Sequence, residues 1–351
     1  MHVKDLARTT VGVHKGEETM AFRFAIMGAG NIAGKFVDAV RRIENCEVAA
    51  VASKSKERAE NFARQFQIER YYDSYETMLQ DGSIDCVYIA TTPNFHFELC
   101  QLCLAYNIPI LCEKAMFRSR REAEIIFSES RRKGIFVMEA MWSRFLPALE
   151  KAKQWLDEGR IGEVSFVNCI ISYAFDPVKN HRNFDPLLGG GAAFDLTVYA
   201  YELTDYFWGR EDVRFSVNAG WDHSGIDLWN QVNLGYGENN RKMASLYSGC
   251  TAMADERIEI AGSMGRIVVP YPHHGDRAYL FDIMQNQKEE FIDEQTKNGF
   301  IYEIEEAVRC IRKGNIESEI VPHELTLRCS ELFDVIYAQQ PCTSKEVTNK
   351  N

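Results

Sequence analysis

The chain has 351 residues, enough for about two domains of ordinary size. Its 40 lysines and arginines face 51 aspartates and glutamates, a formal net charge of −11, with 46% hydrophobic and 26% charged residues. This excludes disorder as the main state, and an acidic chain without a Lys/Arg-rich block is no general nucleic-acid binder. No apolar run approaches the roughly 18 residues a membrane span needs, so no membrane partner is expected.

Residues 1–20 are polar and contain no apolar signal core. They read as a poorly ordered leader, and the lack of a targeting signal points to the cytoplasm. The ten cysteines mostly fall inside apolar runs such as CVYIA and PILC, as small hydrophobes do in a reducing compartment. Cys100 and Cys103 form a C-x-x-C, but in the middle of an expected helix, where no dipole would lower a thiol pKa.

From Phe22 the pattern alternates. FRFAIM, CEVAAVAS, DCVYIATT, IPILCEK and IFVMEA read as buried strands, separated by helical stretches such as NIAGKFVDAVRRI and SRREAEIIFSESRRKG. Such alternation predicts a doubly wound parallel sheet covered on both faces, a Rossmann arrangement over residues 21–142. The first strand-to-helix turn, Gly28-Ala29-Gly30-Asn31-Ile32-Ala33, is a G-x-G-x-x-A dinucleotide fingerprint in its required strand–turn–helix context. It places Gly28, Gly30, Asn31 and Ile32 against a pyrophosphate. Where a cofactor with a free ribose 2′-OH would meet an acid, the chain has Ser53 and Lys54. Hydroxyl and cation suit a 2′-phosphate, so NADP is preferred over NAD; the alternative is that this segment simply caps the next helix.

The set GAGNIA, IATT followed by His96, LCEK, and downstream GGGAAFDLTVY resembles the glucose–fructose oxidoreductase/inositol dehydrogenase (Gfo/Idh/MocA) family. EAMWSRFLP, with Asp195 four residues before Tyr199, looks most like its dimeric dihydrodiol dehydrogenase branch. Glu113-Lys114-Ala115 matches the family's Glu-Lys-Pro without the proline, and Thr91 to His96 matches its T-P-N-x-x-H with the Pro-Asn pair displaced by one. By this resemblance Thr91, His96, Glu113 and Lys114 border the cofactor; the alternative for His96 is packing at the start of the next helix. A lysine at the carboxyl end of a parallel strand can lower a substrate hydroxyl's pKa or shuttle a proton. Trp142 and Arg144, just past the fifth strand with Glu139, lie either beside the substrate and nicotinamide or in hinge packing.

After about Phe145 the alternation stops. A helix, LPALEKAKQWLDEG, is followed by strands GEVSFVNCIISYAF, VRFSVNAGW, LWNQVNLGY, KMASLYSG and ERIEIAG, with a hairpin at Gly262 to Gly265. Residues 143–351 are therefore expected to form an α+β unit with a large, mostly antiparallel sheet. The resemblance implies an open sheet with helices on one face and a homodimer or higher homo-oligomer through the other, where Phe215, Trp221, Trp229 and Tyr247 suit burial; the alternative for these aromatics is the core of a monomer. Arg182 precedes a triple glycine that allows close backbone approach, and Asp195 and Tyr199 then stand at i and i+4 of a helix.

These features describe an NAD(P)-dependent oxidoreductase. It would move a hydride between nicotinamide and a secondary alcohol or carbonyl of a sugar-like, polyol or cyclic diol substrate. Tyr199 moves the proton, Lys114 steadies the alkoxide, and Asp195 and Arg182 hold neighbouring hydroxyls. No metal is implied, since zinc-ligand spacing is absent. The rival readings are cofactor-assisted glycosidic or C–O cleavage through transient oxidation, and a non-catalytic nucleotide sensor.

Overall fold

The computed structural model describes residues 21–208, 213–237 and 241–341. The expected leader, residues 1–20, lies outside them. The first sheet contains β1 (Phe22–Met27), β2 (Cys46–Ala52), β3 (Arg70–Tyr72), β4 (Cys86–Ile89), β5 (Ile110–Glu113) and β6 (Val137–Ala140), in the order β3-β2-β1-β4-β5-β6. Every neighbouring pair is parallel. Helices α1 (Asn31–Val40), α2 (Lys56–Gln65), α3 (Tyr75–Gln80), α4 (His96–Ala105) and α5 (Arg120–Lys133) connect them. Every residue of β4, β5 and β6 is buried, which is why these strands read as continuous apolar runs. Strand order reverses between β1 and β4, which opens a crevice at their carboxyl ends. The five expected strands are present. The three-residue β3 and the helix after it were not expected, because so short a strand has no periodicity to read.

The second sheet has eight strands: β7 (Val164–Ser172), β8 (Val213–Trp221), β9 (Asp227–Tyr236), β10 (Lys242–Gly249), β11 (Arg257–Gly262), β12 (Gly265–Pro270), β13 (Arg277–Asp282) and β14 (Gln287–Ile292). Their order is β14-β13-β12-β11-β7-β10-β9-β8, antiparallel except for the central β7–β10 pair. Helices α6 (Pro147–Asp157), α7 (Val198–Trp208) and α9 (His323–Tyr337) pack on one face. Alternation sets that face: Val167, Cys169, Ile171, Val232, Leu234, Ala244 and Leu246 are buried beneath the helices. Phe215 and Trp221 also turn inward, where they stack edge-on against Tyr201 and Tyr337. This corrects their expected place on the open face, which Trp229 and Tyr247 do occupy, half-buried. Helix α8 (Phe300–Arg312) packs on α1, and α9 reaches α5, so the C-terminal helices bind the two sheets together.

One buried carboxylate organises the entry to α7. Asp227 accepts hydrogen bonds from Ala193 N (2.6 Å), Asn230 Nδ2 (2.6 Å) and Tyr337 Oη (2.9 Å). Gly191 lies so close that a Cβ there would stand 2.0 Å from Asp227 Oδ1, and its φ is +110°. A Cβ on Gly190 would meet the carbonyls of Asn183 and Arg182 at 2.7 and 2.8 Å. The glycine run therefore serves a close approach within the chain, pressing the Arg182–Asn183 turn and Asp227 onto the helix entry.

Burial raises the Asp227 pKa to about 6, against the pull of its three donors. A folded-state pKa above the unfolded one adds stability at low pH, which is lost as pH rises through about 6. The unfolding free energy of wild type relative to Asp227→Asn should therefore fall between about pH 4 and 6 and flatten above it. Asp227→Ala should destabilise by about 2–4 kcal/mol, since it strands three buried donors. Urea melts across pH measure both.

Candidate active site

The carboxyl ends of β1 and β4 meet at the crevice. Ala90 N donates to Met27 O at 2.8 Å, and a Cβ on Gly28 would stand 2.8 Å from Ala90 O. Only glycine fits there, at φ +108°. Gly30 is the N-cap of α1, with extended backbone and no side-chain hydrogen bond to the first turn. Gly30 and Asn31 are exposed, Ile32 is half-buried, and nothing lies within 4 Å of a Cβ on Gly30. The first N–H groups of α1 thus face open space, with no acidic residue in the turn to compete for them. This cradle fits a dinucleotide pyrophosphate.

At the end of β2, Ser53 is buried and its hydroxyl accepts from Ser55 N at 3.3 Å. Lys54 is exposed, with Nζ 4.5 Å from the centre of the Phe95 ring. Ser55 caps α2 by accepting from Arg58 N at 3.3 Å. Both expected features of this segment are present, a helix cap and an available cation.

Lys114 follows β5. Its Nζ donates to Asp195 Oδ1 at 2.8 Å and to Asp195 O at 3.0 Å, and stands 4.4 Å from the centre of the Tyr199 ring. Asp195 also receives Asn183 Nδ2 at 2.6 Å and Arg182 Nη2 at 3.3 Å. Trp142 Nε1 donates to Tyr199 Oη at 3.1 Å. Lys114, Asp195, Tyr199, Trp142 and Arg182 thus converge from β5, the loop after β6 and the entry to α7.

The expected α-helical i, i+4 spacing of Asp195 and Tyr199 is not what aligns them. Ala193–Thr197 form a π turn before α7 begins at Val198. The widened turn shows Lys114 both the carbonyl and the carboxylate of Asp195. Thr197 Oγ1 supports it, donating to Ala192 O at 3.2 Å.

The charges follow from these contacts. Burial opposes ionisation of Asp195, but Lys114, Arg182 and Asn183 overcome it and hold the carboxyl well below the ordinary carboxylate range. Burial likewise opposes the Lys114 charge, yet Asp195 and Tyr199 raise its pKa, so the ammonium persists. Burial pushes the Tyr199 phenol above its ordinary value, against Lys114 and the Trp142 N–H. At neutral pH the site therefore holds a carboxylate, an ammonium and a protonated phenol.

Other expected site residues face the interior. His96 is fully buried, with Nδ1 3.0 Å from Ala115 O and Nε2 3.1 Å from Thr91 O. Burial lowers its pKa to about 4, so it is neutral. Thr91 stands at the crevice, and its Oγ1 has no hydrogen-bond partner. Glu113 is buried; it accepts from the Tyr88 hydroxyl and, at 3.3 Å, from Lys114 N. Arg144 donates to Glu202 O at 3.0 Å, pairs with Asp205 at 3.6 Å and lies over the Tyr206 ring, apart from the Lys114 group.

Two neighbours of the site were not expected from the sequence. Asn183 clamps Asp195, and the His273 ring lies 5.3 Å from that of Tyr199. Asn183 sits beside Arg182 in the turn already noted. The adjacent pair His273-His274 in a chain of 8 histidines was the available signal for the other.

Comparison with known proteins gives a consistent picture. Residues 22–141 match the family described as oxidoreductase, NAD-binding Rossmann fold, and residues 149–268 match the GFO/IDH/MocA C-terminal domain. The chain is 30% identical to trans-1,2-dihydrobenzene-1,2-diol dehydrogenase of Xenopus tropicalis, over 86% of this chain and 93% of that one. With the Mus musculus enzyme of the same name, identity is 31%, over 86% and 92%. A 3-ketoreductase from Actinomadura kijaniata, solved with TDP-benzene and NADP, superposes with a TM-score of 0.81 at 22% identity, covering 91% of this chain and 97% of that one. A levoglucosan dehydrogenase solved with NADH and levoglucosan gives 0.82 at 18%, with the same coverage. The chain belongs to the Gfo/Idh/MocA family of NAD(P)-binding oxidoreductases.

Proposed function

We propose that this enzyme interconverts a secondary alcohol and a carbonyl on a cyclic diol, polyol or sugar-like substrate, with NADP preferred over NAD. The observation that carries this reading is Lys114 Nζ, held by Asp195 and lying over the Tyr199 ring. Gly28, Gly30, Asn31, Ile32 and Thr91 would hold the dinucleotide, with Ser53 and Lys54 at its ribose. A bound nicotinamide supplies or accepts the hydride. Tyr199 is the proton donor for carbonyl reduction and the acceptor for alcohol oxidation. Its oxygen already accepts from Trp142, so its own proton is free to point at a substrate oxygen. Lys114 steadies negative charge as it develops on that oxygen. Asp195 and Arg182 orient a neighbouring oxygen. His96 and Glu113 act through the backbone, by fixing Ala115, Thr91 and Lys114.

The cyclic diol enters the reading through the dihydrodiol dehydrogenases, the relatives of highest identity quoted above. Residues 21–142 are read as the cofactor unit and 143–351 as the substrate unit. The open face of the second sheet, with Trp229 and Tyr247, suits association of two copies. The nine described cysteines are free thiols, as in a reducing cytoplasm. Among the described residues, no helix is long and apolar enough to cross a membrane.

Three measurements test the proposal. Tyr199→Phe should lower kcat by about 10²–10⁴ while cofactor binding, followed by fluorescence titration, stays intact. An unchanged kcat would remove Tyr199 from the chemistry. Because its pKa is raised, the phenol is mostly protonated at neutral pH. Alcohol oxidation should therefore speed up as pH rises from about 7 to 9, and carbonyl reduction should stay level over that range. Lys54→Glu should weaken NADP binding by about tenfold or more and leave NAD binding nearly unchanged. Equal loss for both cofactors would reverse the assignment to NADP.

A further inference from the structure

Beside the catalytic group lies a second cluster that the proposed reaction does not use. Tyr173 follows β7, Glu256 precedes β11, and His273 and His274 occupy the turn between β12 and β13. The Tyr173 hydroxyl lies 2.8 Å from His273 Nε2 and 3.2 Å from His274 Nε2. Glu256 is only 3% exposed, and its Oε1 is fixed by Ser172 N at 2.7 Å. One donor atom each from Glu256, His273 and His274 lie within 4.8 Å of one another.

The hydrogen-bond count leaves this cluster short of a donor. The Tyr173 hydroxyl can donate to one imidazole and accept from the N–H of the other, so its single proton does not also serve the carboxylate. Glu256 Oε2 and His273 Nδ1 are buried and make no hydrogen bond. A buried polar atom without a protein partner is a place for a water or an ion.

We propose that Glu256, His273 and His274 form a binding site for a divalent transition-metal ion of the zinc class, with the Tyr173 oxygen or a water as fourth ligand. Two imidazole nitrogens and a carboxylate are ligands zinc takes readily, whereas magnesium and calcium prefer all-oxygen sets. Zinc bonds of about 2.0–2.2 Å put tetrahedral ligand atoms about 3.3–3.6 Å apart. The donors would therefore close inward, and His274, which is exposed, has room to move. The Ser172 N–H already orients the carboxylate, as outer partners do in metal sites. Spacing in the sequence hid the set, because the β11–β12 hairpin separates Glu256 from the histidines. An ion here would tie three segments of the second sheet together. It would also brace the turn behind Tyr199, where Ser143 Oγ donates to His273 O at 2.8 Å.

The test uses the full chain, stripped with a chelator and titrated with zinc chloride by calorimetry, with magnesium chloride as control. Wild type should bind one zinc ion per chain at the cluster and gain several degrees in Tm with zinc but not magnesium. His274→Ala and Glu256→Gln should each weaken binding by about 10–100-fold while circular dichroism confirms folding. His274 is exposed, so its variant keeps the test open if Glu256→Gln misfolds. Two results would overturn the site. One is no zinc binding by wild type, which leaves the cluster a hydrogen-bonded clamp. The other is equal binding by wild type and both variants, which places the metal elsewhere on the chain.

Discussion

The ion pair between Lys114 and Asp195 is the contact on which the site depends. It joins the end of the parallel sheet to the entry of α7, across 81 residues of sequence. Desolvating two charges costs several kcal/mol each, and attraction offsets this only when geometry and further hydrogen bonds are good. Here the carboxylate takes Lys114, Arg182 and Asn183 together. The lysine takes both the carboxylate and the carbonyl of one residue. The pair therefore stays ionised in a place where either charge alone would not.

Each partner is set from behind by buried polar groups. On the lysine side, His96 spans Thr91 O and Ala115 O, and Glu113 accepts from Lys114 N. Glu139 continues the line, accepting from Met116 N at 2.8 Å and from Thr326 of α9 at 2.7 Å. On the aspartate side, Asp227 holds Ala193 N and is itself held from α9 by Tyr337. Helix α9 thus supports both flanks, so a single element keeps the two halves of the site in register. A site held within fractions of an ångström needs this kind of second layer.

The sequence was most readable where one physical rule acts alone. Strands buried on both faces must be apolar throughout, and the turn after β1 admits only glycine at residue 28, so both were plain. Lys114, Asp195 and Tyr199 were legible as a set, but their alignment comes from a π turn that no spacing rule anticipates. The direction a side chain takes was harder to read. His96, Glu113 and Arg144 are residue types that suit a site, and all three turn to the interior. Phe215 and Trp221 look like interface aromatics, yet strand alternation points them at α7 and α9. The triple glycine suggested room for a ligand. What it admits is the Arg182–Asn183 turn just before it and Asp227, which is distant in sequence.

The hydrogen-bond inventory of Asp195 narrows what the proposed site can recognise. A carboxylate offers about four acceptor positions. Lys114 and Arg182 occupy Oδ1 and Asn183 occupies one position on Oδ2, which leaves room for about one more donor there. Trp142 spends its only N–H on Tyr199. In the proposed reading, one substrate oxygen therefore meets Tyr199 and Lys114, and one adjacent hydroxyl meets Asp195. Further oxygens fall to the Arg182 guanidinium, whose side chain is 43% exposed. A ring bearing two neighbouring oxygens fills these positions with its remaining edge left apolar. In the same reading, each further hydroxyl of a polyol would find its partner outside this carboxylate, at Arg182 or in solvent.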